Sequence, residues 1–174
     1  PSRLPTFHRE PVSEALADRV RWIWIPRWNL PAGQRDRQEV LPFPACNLVV
    51  EPDGITLHGP TTSISYRELE GRGWAVGALL RPAAAGALCS PSLIRNSHRP
   101  LEDPDLGAAV ADAMADTNTM RGGQRAASAL ADWVAQHTGP PQAMALIANK
   151  MEDVVASDRS VLRVDQLARR LDLS

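Results

Sequence analysis

The sequence predicts an α+β fold, in which a small antiparallel β-barrel or sandwich is followed by a group of helices. Short runs of alternating apolar and polar residues, separated by turn residues, fill the first half of the chain. In the second half, apolar residues recur at spacings of three and four, as on one face of a helix. Strands that precede all the helices are typical of α+β proteins.

The first predicted strand lies in the stretch RVRWIWIPRWNLP, where Trp22 and Trp24 fall on one face. Proline cannot donate to a strand ladder, so we expect this strand to break or bulge at Pro26. The polar stretch AGQRDRQ that follows is typical of a turn, as is GRG further along. The other predicted strands, which bring the total to about six, lie at residues 39–41, 46–51, 55–59, 63–70 and 74–80.

The predicted helices begin after the Arg-Pro pair at residues 81–82. Asp103 and Pro104 suit the N-cap and the first position of a helix. The sequence TGPP ends one helix and starts the next, because glycine suits a helix C-terminus and proline a first turn. Besides the helix that starts at Pro104, helices are predicted at residues 83–89, 122–136 and 141–157, with an irregular connection at 90–102.

Composition excludes several classes of protein. The chain has 174 residues, 44% of them apolar and 22% charged, which is typical of a globular protein. Its net charge of −1 argues against an electrostatic nucleic-acid binder. The N-terminus lacks a leader pattern, and no apolar run could span a bilayer, so we expect a cytoplasmic protein without a membrane partner. Cys46 and Cys89 are far apart in sequence, and two free thiols are favoured over a disulfide.

Three tryptophans within seven residues, Trp22, Trp24 and Trp28, are the most unusual feature of the first half. On an inward-facing strand they could line the floor of an apolar pocket and offer indole N–H donors to a ligand. Bulky filling of a small core is the alternative, and for a small β domain it is favoured. The hypothetical ligand site consists of Trp22, Trp24, Trp28, Tyr66 and Arg81, the arginine as a partner for a carboxylate or phosphate.

Catalytic and metal-binding patterns are missing from the sequence. The four histidines are scattered, whereas a cupin-type metal site needs two of them one residue apart on a strand. His58 is therefore interpreted as a structural residue, with pocket lining as the second interpretation. The glycines of GRGWAVG do not match a dinucleotide-binding fingerprint, and the stretch indicates a hairpin turn. We expect no metal, no cofactor and no enzymatic activity.

The last fifteen residues, SVLRVDQLARRLDLS, predict a short amphipathic helix followed by a turn. Asp172 tolerates a left-handed backbone there, and Ser174 would cap another helix. Arg169 and Arg170 lie opposite the apolar stripe, a position that is most often solvated but that could also reach DNA phosphates. The apolar stripe consists of Val164, Leu167, Ala168 and Leu171.

This ending resembles the first helix, the turn and the next cap of a helix-turn-helix unit in the AraC family of bacterial transcriptional regulators. The family has an alanine inside the first helix, at the position of Ala168. It then has a leucine, a turn residue, an apolar residue and a serine in succession, which matches residues 171–174. Two positions depart from the pattern. Arg163 stands where Ser or Thr usually caps the helix, and Asp172 stands where Gly is usual.

The first half is similar to the sensory domain of one actinobacterial-type branch of these regulators. The strings RWNLP, VLPFPACNLVVE, LHGPTT and LEGRGWAVGALLRP occur in the order of that branch. The resemblance implies a cupin-like β-barrel sensory domain at residues 1–100 and a helical linker or dimerisation segment at 101–158. Residues 159–174 would be the start of the helix-turn-helix domain, cut before its recognition helix.

The resemblance implies that the chain is the regulatory part of a DNA-binding transcriptional regulator. Its partners would be a small-molecule effector, a second copy of the chain, and DNA, the last through a missing C-terminal part. The chain alone is therefore expected not to bind DNA specifically. Leu130 and Trp133 would contribute to a dimer interface, unless their helix only covers the barrel. A small cupin-like metal-dependent enzyme and a ligand-free interaction module are the rival hypotheses.

Overall fold

A computed structural model describes residues 6–90, 94–158 and 160–173, with the backbone alone for residues 6 and 7. Within these ranges the chain forms nine strands and five α-helices. The strands are β1 (Thr6–Glu10), β2 (Val20–Asn29), β3 (Arg35–Val40), β4 (Asn47–Glu51), β5 (Gly54–His58), β6 (Ser65–Glu70), β7 (Arg72–Trp74), β8 (Val76–Leu80) and β9 (His98–Leu101). The helices are α1 (Pro82–Leu88), α2 (Pro104–Met114), α3 (Thr119–Thr138), α4 (Ala143–Ser157) and α5 (Val164–Arg170).

Every strand pair is antiparallel. The main sheet has the order β1-β2-β8-β4-β5-β9, and β7 also pairs with β2. Strands β3 and β6 form a separate two-stranded sheet, the β3–β6 ribbon. The predicted α+β class is confirmed. In the described ranges the main sheet stays open between its edge strands β1 and β9, so the finer assignment to a cupin-like barrel remains a prediction.

One face of the main sheet forms the hydrophobic core together with the helices. Ile23, Leu48 and Leu57 lie in neighbouring register on this face and are at most 1% exposed. Helices α2 and α3 pack against the sheet, and α3 contributes the fully buried Leu130 and Val134. Burying side chains of this size stabilises the fold by about 1.5–3 kcal/mol each.

The contact between α2 and α3 depends on a helical glycine. A Cβ added to Gly122 would lie 2.5 Å from the carbonyl oxygen of Ala113, so only glycine allows this close approach. Asp103 caps α2 as predicted, with its Oδ1 accepting from the Leu106 N–H at 2.9 Å. Helix α3 starts three residues before the predicted position, because the side chain of Asn118 accepts from the Arg121 N–H at 3.1 Å.

Strands β1, β7 and β9 were missing from the prediction, and β3 was predicted only over its last two residues, where the predicted strand at 39–41 overlaps it. Strand β7 lies in the GRG stretch, which was predicted as a turn. The stretch predicted as a turn, AGQRDRQ, contains the start of β3, a polar strand that pairs with β6 along its whole length. Strand β9 lies in the predicted irregular connection, and β1 precedes the first predicted strand. Strands β1 and β9 lie at the edges of the sheet, where few side chains are buried, so alternation of apolar residues does not mark them.

Strand β2 continues past Pro26, where a break or bulge was predicted. Pro26 lies where the neighbour of β2 changes from β8 to β7, and its carbonyl accepts from the Ala75 N–H at 3.2 Å. A residue without an N–H donor is tolerated at such an irregular position. No helix in the described ranges has the length and apolar character needed to cross a bilayer.

Candidate functional site

The three predicted tryptophans lie on the face of the main sheet that points away from the core. Residues paired across antiparallel strands point to the same side, so the register defines this face row by row. We call it the tryptophan face. One row consists of Trp22, Leu79, Asn47, His58 and His98, and the next of Trp24, Gly77, Val49, Thr56 and Pro100.

Two of the indoles lie directly against glycines of the neighbouring strands. A Cβ on Gly77 would lie 2.2 Å from ring carbons of Trp24, and a Cβ on Gly73 would lie 2.2 Å from a ring carbon of Trp28. Two of the three glycines of GRGWAVG, Gly73 and Gly77, thus make room for tryptophan rings. No phosphate-binding role is needed to account for them.

The indole N–H groups of these two residues are already bonded within the chain. Trp24 Nε1 donates to Asn47 Oδ1 at 3.1 Å, and Trp28 Nε1 donates to the Glu70 carbonyl at 3.2 Å. The ring of Trp22 has the Arg9 guanidinium 4.7 Å from its centroid. A ligand on this face would therefore meet aromatic ring surfaces more readily than free indole donors.

The rim of the tryptophan face carries positive charge and two histidines. The rings of His58 and His98 are 5.6 Å apart between centroids. Burial lowers the pKa of His58, and the neighbouring His98 and Arg67 lower it further. Arg67 on the β3–β6 ribbon also pairs with Glu51 on β4. The face thus combines aromatic rings with polar groups that favour an anionic or planar ligand.

The structure brings together only part of the predicted ligand site. Trp22, Trp24 and Trp28 share one face and are each half-buried. Tyr66 lies on the β3–β6 ribbon, is 54% exposed, and has the Arg37 guanidinium 3.8 Å from its ring centroid. Arg81 points to α4 and takes part in a different cluster.

That cluster, which we call the α4 docking cluster, consists of Arg21, Arg81, Asn149, Glu152 and Asp153. The Arg21 and Arg81 Nη2 atoms lie 2.8 and 2.7 Å from the two carboxylate oxygens of Asp153. Their Nε atoms lie 3.5 and 3.2 Å from the carboxylate oxygens of Glu152, whose side chain is only 6% exposed. Two strand ends are thereby joined to one turn of α4.

Burial raises the pKa of Glu152, whereas Arg21 and Arg81 lower it and Asp153 raises it. The Glu152 oxygens and both arginine Nε atoms are buried without a hydrogen bond from any described residue, although they are paired by charge. Desolvation of these charges offsets much of their attraction. The cluster therefore positions α4 without stabilising it strongly.

Asn149 is the only residue of α4 that is fully buried. Its Oδ1 accepts from the Ala83 N–H of α1 at 3.0 Å, and its Nδ2 donates to the Asp18 carbonyl at 2.6 Å. The Asn149 carbonyl also accepts from Arg81 Nη2 at 2.9 Å. Removing this side chain would leave polar groups of α1 and of the loop before β2 unpaired.

The predicted dimer residues differ in exposure. Leu130 is fully buried in the chain's own core, so a dimer surface on α3 would have to use other residues. Trp133 is half-buried; its Nε1 donates to Asp103 Oδ2 at 2.6 Å, and its ring stacks on His137 at 3.9 Å between centroids. Trp133 is thus joined to the N-cap of α2, and its role in a dimer stays a prediction.

Helix α5 is short and mostly exposed. Gln166 Oε1 accepts from the N–H groups of Leu162 and Arg163 at 2.8 and 3.0 Å, which is the half of a capping box that the third helical residue supplies. Both arginines that were predicted to face DNA form ion pairs within the chain. Arg169 lies 3.0 Å from Asp165, and Arg170 lies 2.5 Å from Asp158 at the end of α4.

The turn after α5 follows the predicted conformation. Asp172 has φ 52°, and the Leu173 N–H bonds to the Ala168 carbonyl at 2.9 Å. This pattern is the Schellman motif that ends a helix with a left-handed residue. The predicted cap at Ser174 lies outside the described residues.

Sequence analysis missed most of the contacts around these sites. The partners Asn47 and Arg9 of the tryptophans are polar residues on other strands, and no local pattern marks them. Asn149 had a weak signal, because it interrupts the apolar residues of α4. In the described ranges, no group of three or more His, Cys, Asp or Glu side chains could hold a metal ion.

Comparisons with known proteins identify a family for most of the β-rich half. No curated protein matches the chain. One solved structure, described as the crystal structure of the AraC-like transcriptional activator CuxR, is 12% identical with a TM-score of 0.35. The match covers 88% of this chain and 66% of that one, so the chain spans less than two thirds of its length. Residues 8–98 match the family described as a domain of unknown function (DUF6597), and because this match covers more than half of the 174 residues, the chain belongs to that family.

Proposed function

We propose that the chain is the effector-sensing and linker part of a bacterial transcriptional regulator of the AraC type. The observation that carries this proposal is the left-handed Asp172 at the end of α5. It occupies the position where the family's helix-turn-helix pattern has glycine, and it adopts the backbone conformation that glycine adopts most easily. The order of the sequence motifs in the first half supports the same family.

The packing of α5 supports its assignment as the first helix of a helix-turn-helix unit. Leu167, Ala168 and Leu171 are half-buried on one side, while Val164 is 82% exposed. A helix with a half-covered apolar stripe and a small residue in its centre is suited to receive a second helix. Arg169 and Arg170 lie on its exposed side and would be available to phosphates once their carboxylate partners were displaced.

The α4 docking cluster supports a route from the sensory sheet to α5. Arg21 is the second residue of β2, next to Trp22, and it forms an ion pair with Asp153 of α4. The C-terminal end of α4 is in turn joined to α5 by the ion pair between Asp158 and Arg170. A ligand that moved β2 would therefore also displace α4, because side chains of the two elements are in direct contact. Two arrangements with different affinities for an effector would shift in population when it binds.

The proposed effector site is the tryptophan face beside the β3–β6 ribbon. Half-buried indoles, His58 and Arg67 form a surface that suits a small anionic or planar molecule. The helical segment would additionally join two copies of the chain, with Trp133 at the interface, as dimeric regulators bind paired half-sites. We assign no catalytic step to any of these residues.

The test uses the protein translated from the complete reading frame that contains these residues. Selection from a random DNA library should enrich a sequence motif, and the frame should encode a second helix after the Asp172 turn. Asp172→Val should weaken specific DNA binding by about tenfold or more, because a β-branched residue is strained at this φ. Asp172→Gly is the matched control and should preserve binding, since glycine adopts this conformation freely.

Two results would contradict the proposal. The first is a complete protein that enriches no DNA motif, and the second is equal DNA binding by Asp172→Val and Asp172→Gly. The effector part is tested separately by tryptophan fluorescence and thermal stability against a metabolite panel. If no compound in a broad panel changed either signal, the tryptophan face would lose its assignment as a sensor.

A further inference from the structure

Two of the four histidines of the chain face each other across neighbouring strands. His58 ends β5 and His98 begins β9, and the two residues are direct partners in the antiparallel register. Their ring centroids are 5.6 Å apart, with His58 half-buried and His98 exposed. The sequence predicted no metal site because it lacks two histidines one residue apart on one strand, and that pattern does not cover a pair formed by two strands.

The hydrogen-bond pattern of the sheet brings these two side chains close together. The next pair along the ladder is bonded, since the Gly59 N–H donates to the Ser97 carbonyl at 3.0 Å. Bonded and non-bonded pairs alternate along antiparallel strands, so His58 and His98 form a non-bonded pair. In such a pair the Cα atoms are about 4.5 Å apart and the side chains are closer than in a bonded pair. The two imidazoles therefore lie side by side on the tryptophan face.

The ring nitrogens of this pair are available to a ligand. Neither the His58 ring nor the His98 ring has a hydrogen bond to another residue in the part of the chain that the structure describes. The other two histidines differ in this respect. His8 Nε2 lies 2.8 Å from a carboxylate oxygen of Glu10, and His137 Nδ1 lies 2.8 Å from a backbone carbonyl one turn back along α3.

The charges around the pair are compatible with a bound cation. Burial lowers the pKa of His58, and His98 and Arg67 lower it further, so His58 is neutral at pH 7. The neutral imidazole is the form that binds a metal ion. The positive charge of Arg67 is offset by its ion pair with Glu51. Arg99 follows His98 along β9 and lies on the opposite face, because successive residues of a strand alternate.

We propose that His58 and His98 bind one late first-row divalent metal ion, of the class of Cu²⁺, Ni²⁺ and Zn²⁺, through one nitrogen of each ring. Metal–nitrogen distances of about 2.0–2.1 Å and a tetrahedral angle place two bound rings roughly 5 Å apart between centroids, close to the observed separation. Imidazole suits these ions, whereas Mg²⁺ and Ca²⁺ prefer oxygen ligands, and Cu²⁺ binds most tightly in the series. Water or an added ligand would fill the remaining coordination positions.

A bound ion would fasten the edge of the main sheet. Strand β9 is four residues long and, among the described strands, pairs only with β5. Its Pro100 cannot donate to the ladder, so few hydrogen bonds hold this strand. A metal bridge between His58 and His98 would add a link at the start of β9. Binding of the ion requires neither an effector nor DNA, so this inference does not rest on the proposed function.

The test titrates the untagged chain with Cu²⁺ and with Zn²⁺ in a buffer that does not bind metal ions. Isothermal titration calorimetry should give one saturable site per chain. Zn²⁺ should shift the imidazole NMR signals of His58 and His98 together and leave those of His8 and His137 unchanged. The electron paramagnetic resonance spectrum of the Cu²⁺ complex should show coupling to the nitrogens of both imidazoles.

Four single variants complete the test. His58→Ala and His98→Ala should each lower the affinity by about tenfold or more, because each leaves a single imidazole ligand. His8→Ala and His137→Ala are the matched controls and should bind as the native chain does. Equal binding by all four variants would identify an adventitious ion only and would overturn the proposal. The proposal would equally fail if the native chain had no saturable site, or if Zn²⁺ shifted the signals of His8 or His137 first. The NMR titration of the native chain decides the question even if a variant does not fold.

Discussion

Helices α3 and α4 are attached to the sheet by different chemistry. Helix α3 buries Ala126, Leu130 and Val134 completely and contributes to a continuous apolar core. Helix α4 is attached through polar groups instead, namely the buried amide of Asn149 and the ion pairs of Glu152, whose side chain is also buried, and Asp153. The apolar side chains Met144 and Val155 of α4 are half or more exposed.

The difference indicates which helix is a permanent part of the fold. Apolar burial is lost only when the core opens, so α3 is expected to unfold with the sheet. Ion pairs and polar hydrogen bonds can be replaced by contacts with water, so breaking them costs less net free energy than exposing a buried apolar side chain. We therefore expect α4 to detach while the rest of the chain stays folded, which is the property that the proposed linker role requires.

The largest expected effect is on the α3 side. Leu130→Ala should lower the free energy of unfolding by about 4 kcal/mol, because it removes a fully buried side chain and leaves a cavity. Urea unfolding followed by circular dichroism measures this loss. Ser128→Ala on the exposed side of the same helix is the control and should change stability by less than about 0.5 kcal/mol. Equal stability of the two variants would show that α3 is not a core helix.

A smaller and more local effect is expected on the α4 side. Arg81→Met removes one partner of the buried Glu152 and should lower the free energy of opening α4 by about 3 kcal/mol. Native-state hydrogen exchange should show faster exchange in α4, while the slowest amides of α3 change much less. Lys150→Met, an exposed change on α4, should leave both helices unaffected. A uniform loss of protection in both helices would mean that α4 and α3 open as one unit.

The smallest effect concerns the joint between α4 and α5. Hydrogen bonds from Ser160 and Arg170 lower the pKa of Asp158 from 3.8 to about 2. A carboxyl with a lowered pKa stabilises the folded joint above its ordinary pKa, and this contribution fades as the pH falls from 3.8 through about 2. Carboxyl shifts in an NMR titration should therefore give the low value for Asp158. Arg170→Gln should raise it toward 3.8, and Arg169→Gln should not.

Several local features were predictable because a few neighbouring residues determine them. The Asp103 cap, the left-handed Asp172 and the glycine end of α3 follow from side-chain or backbone chemistry within one turn. The shared face of Trp22 and Trp24 follows from the two-residue repeat of a strand. Most of strand β3 was missed because its polar residues pair with a strand that lies 25 or more positions away.

The candidate sites were less predictable, since each joins residues from distant parts of the chain. Arg81 has the chemistry of an anion partner, which the sequence indicated, but only the tertiary structure shows that α4 supplies the anions.

The sequence by itself determined the α+β class, the cap at Asp103, the turn at Asp172 and the shared face of Trp22 and Trp24, because backbone preferences and side-chain periodicity act over a few residues. The tertiary structure alone decided which face became the core, which charges were paired and which helix was held by them. Those outcomes depend on burial, and burial is set by how distant elements pack against one another.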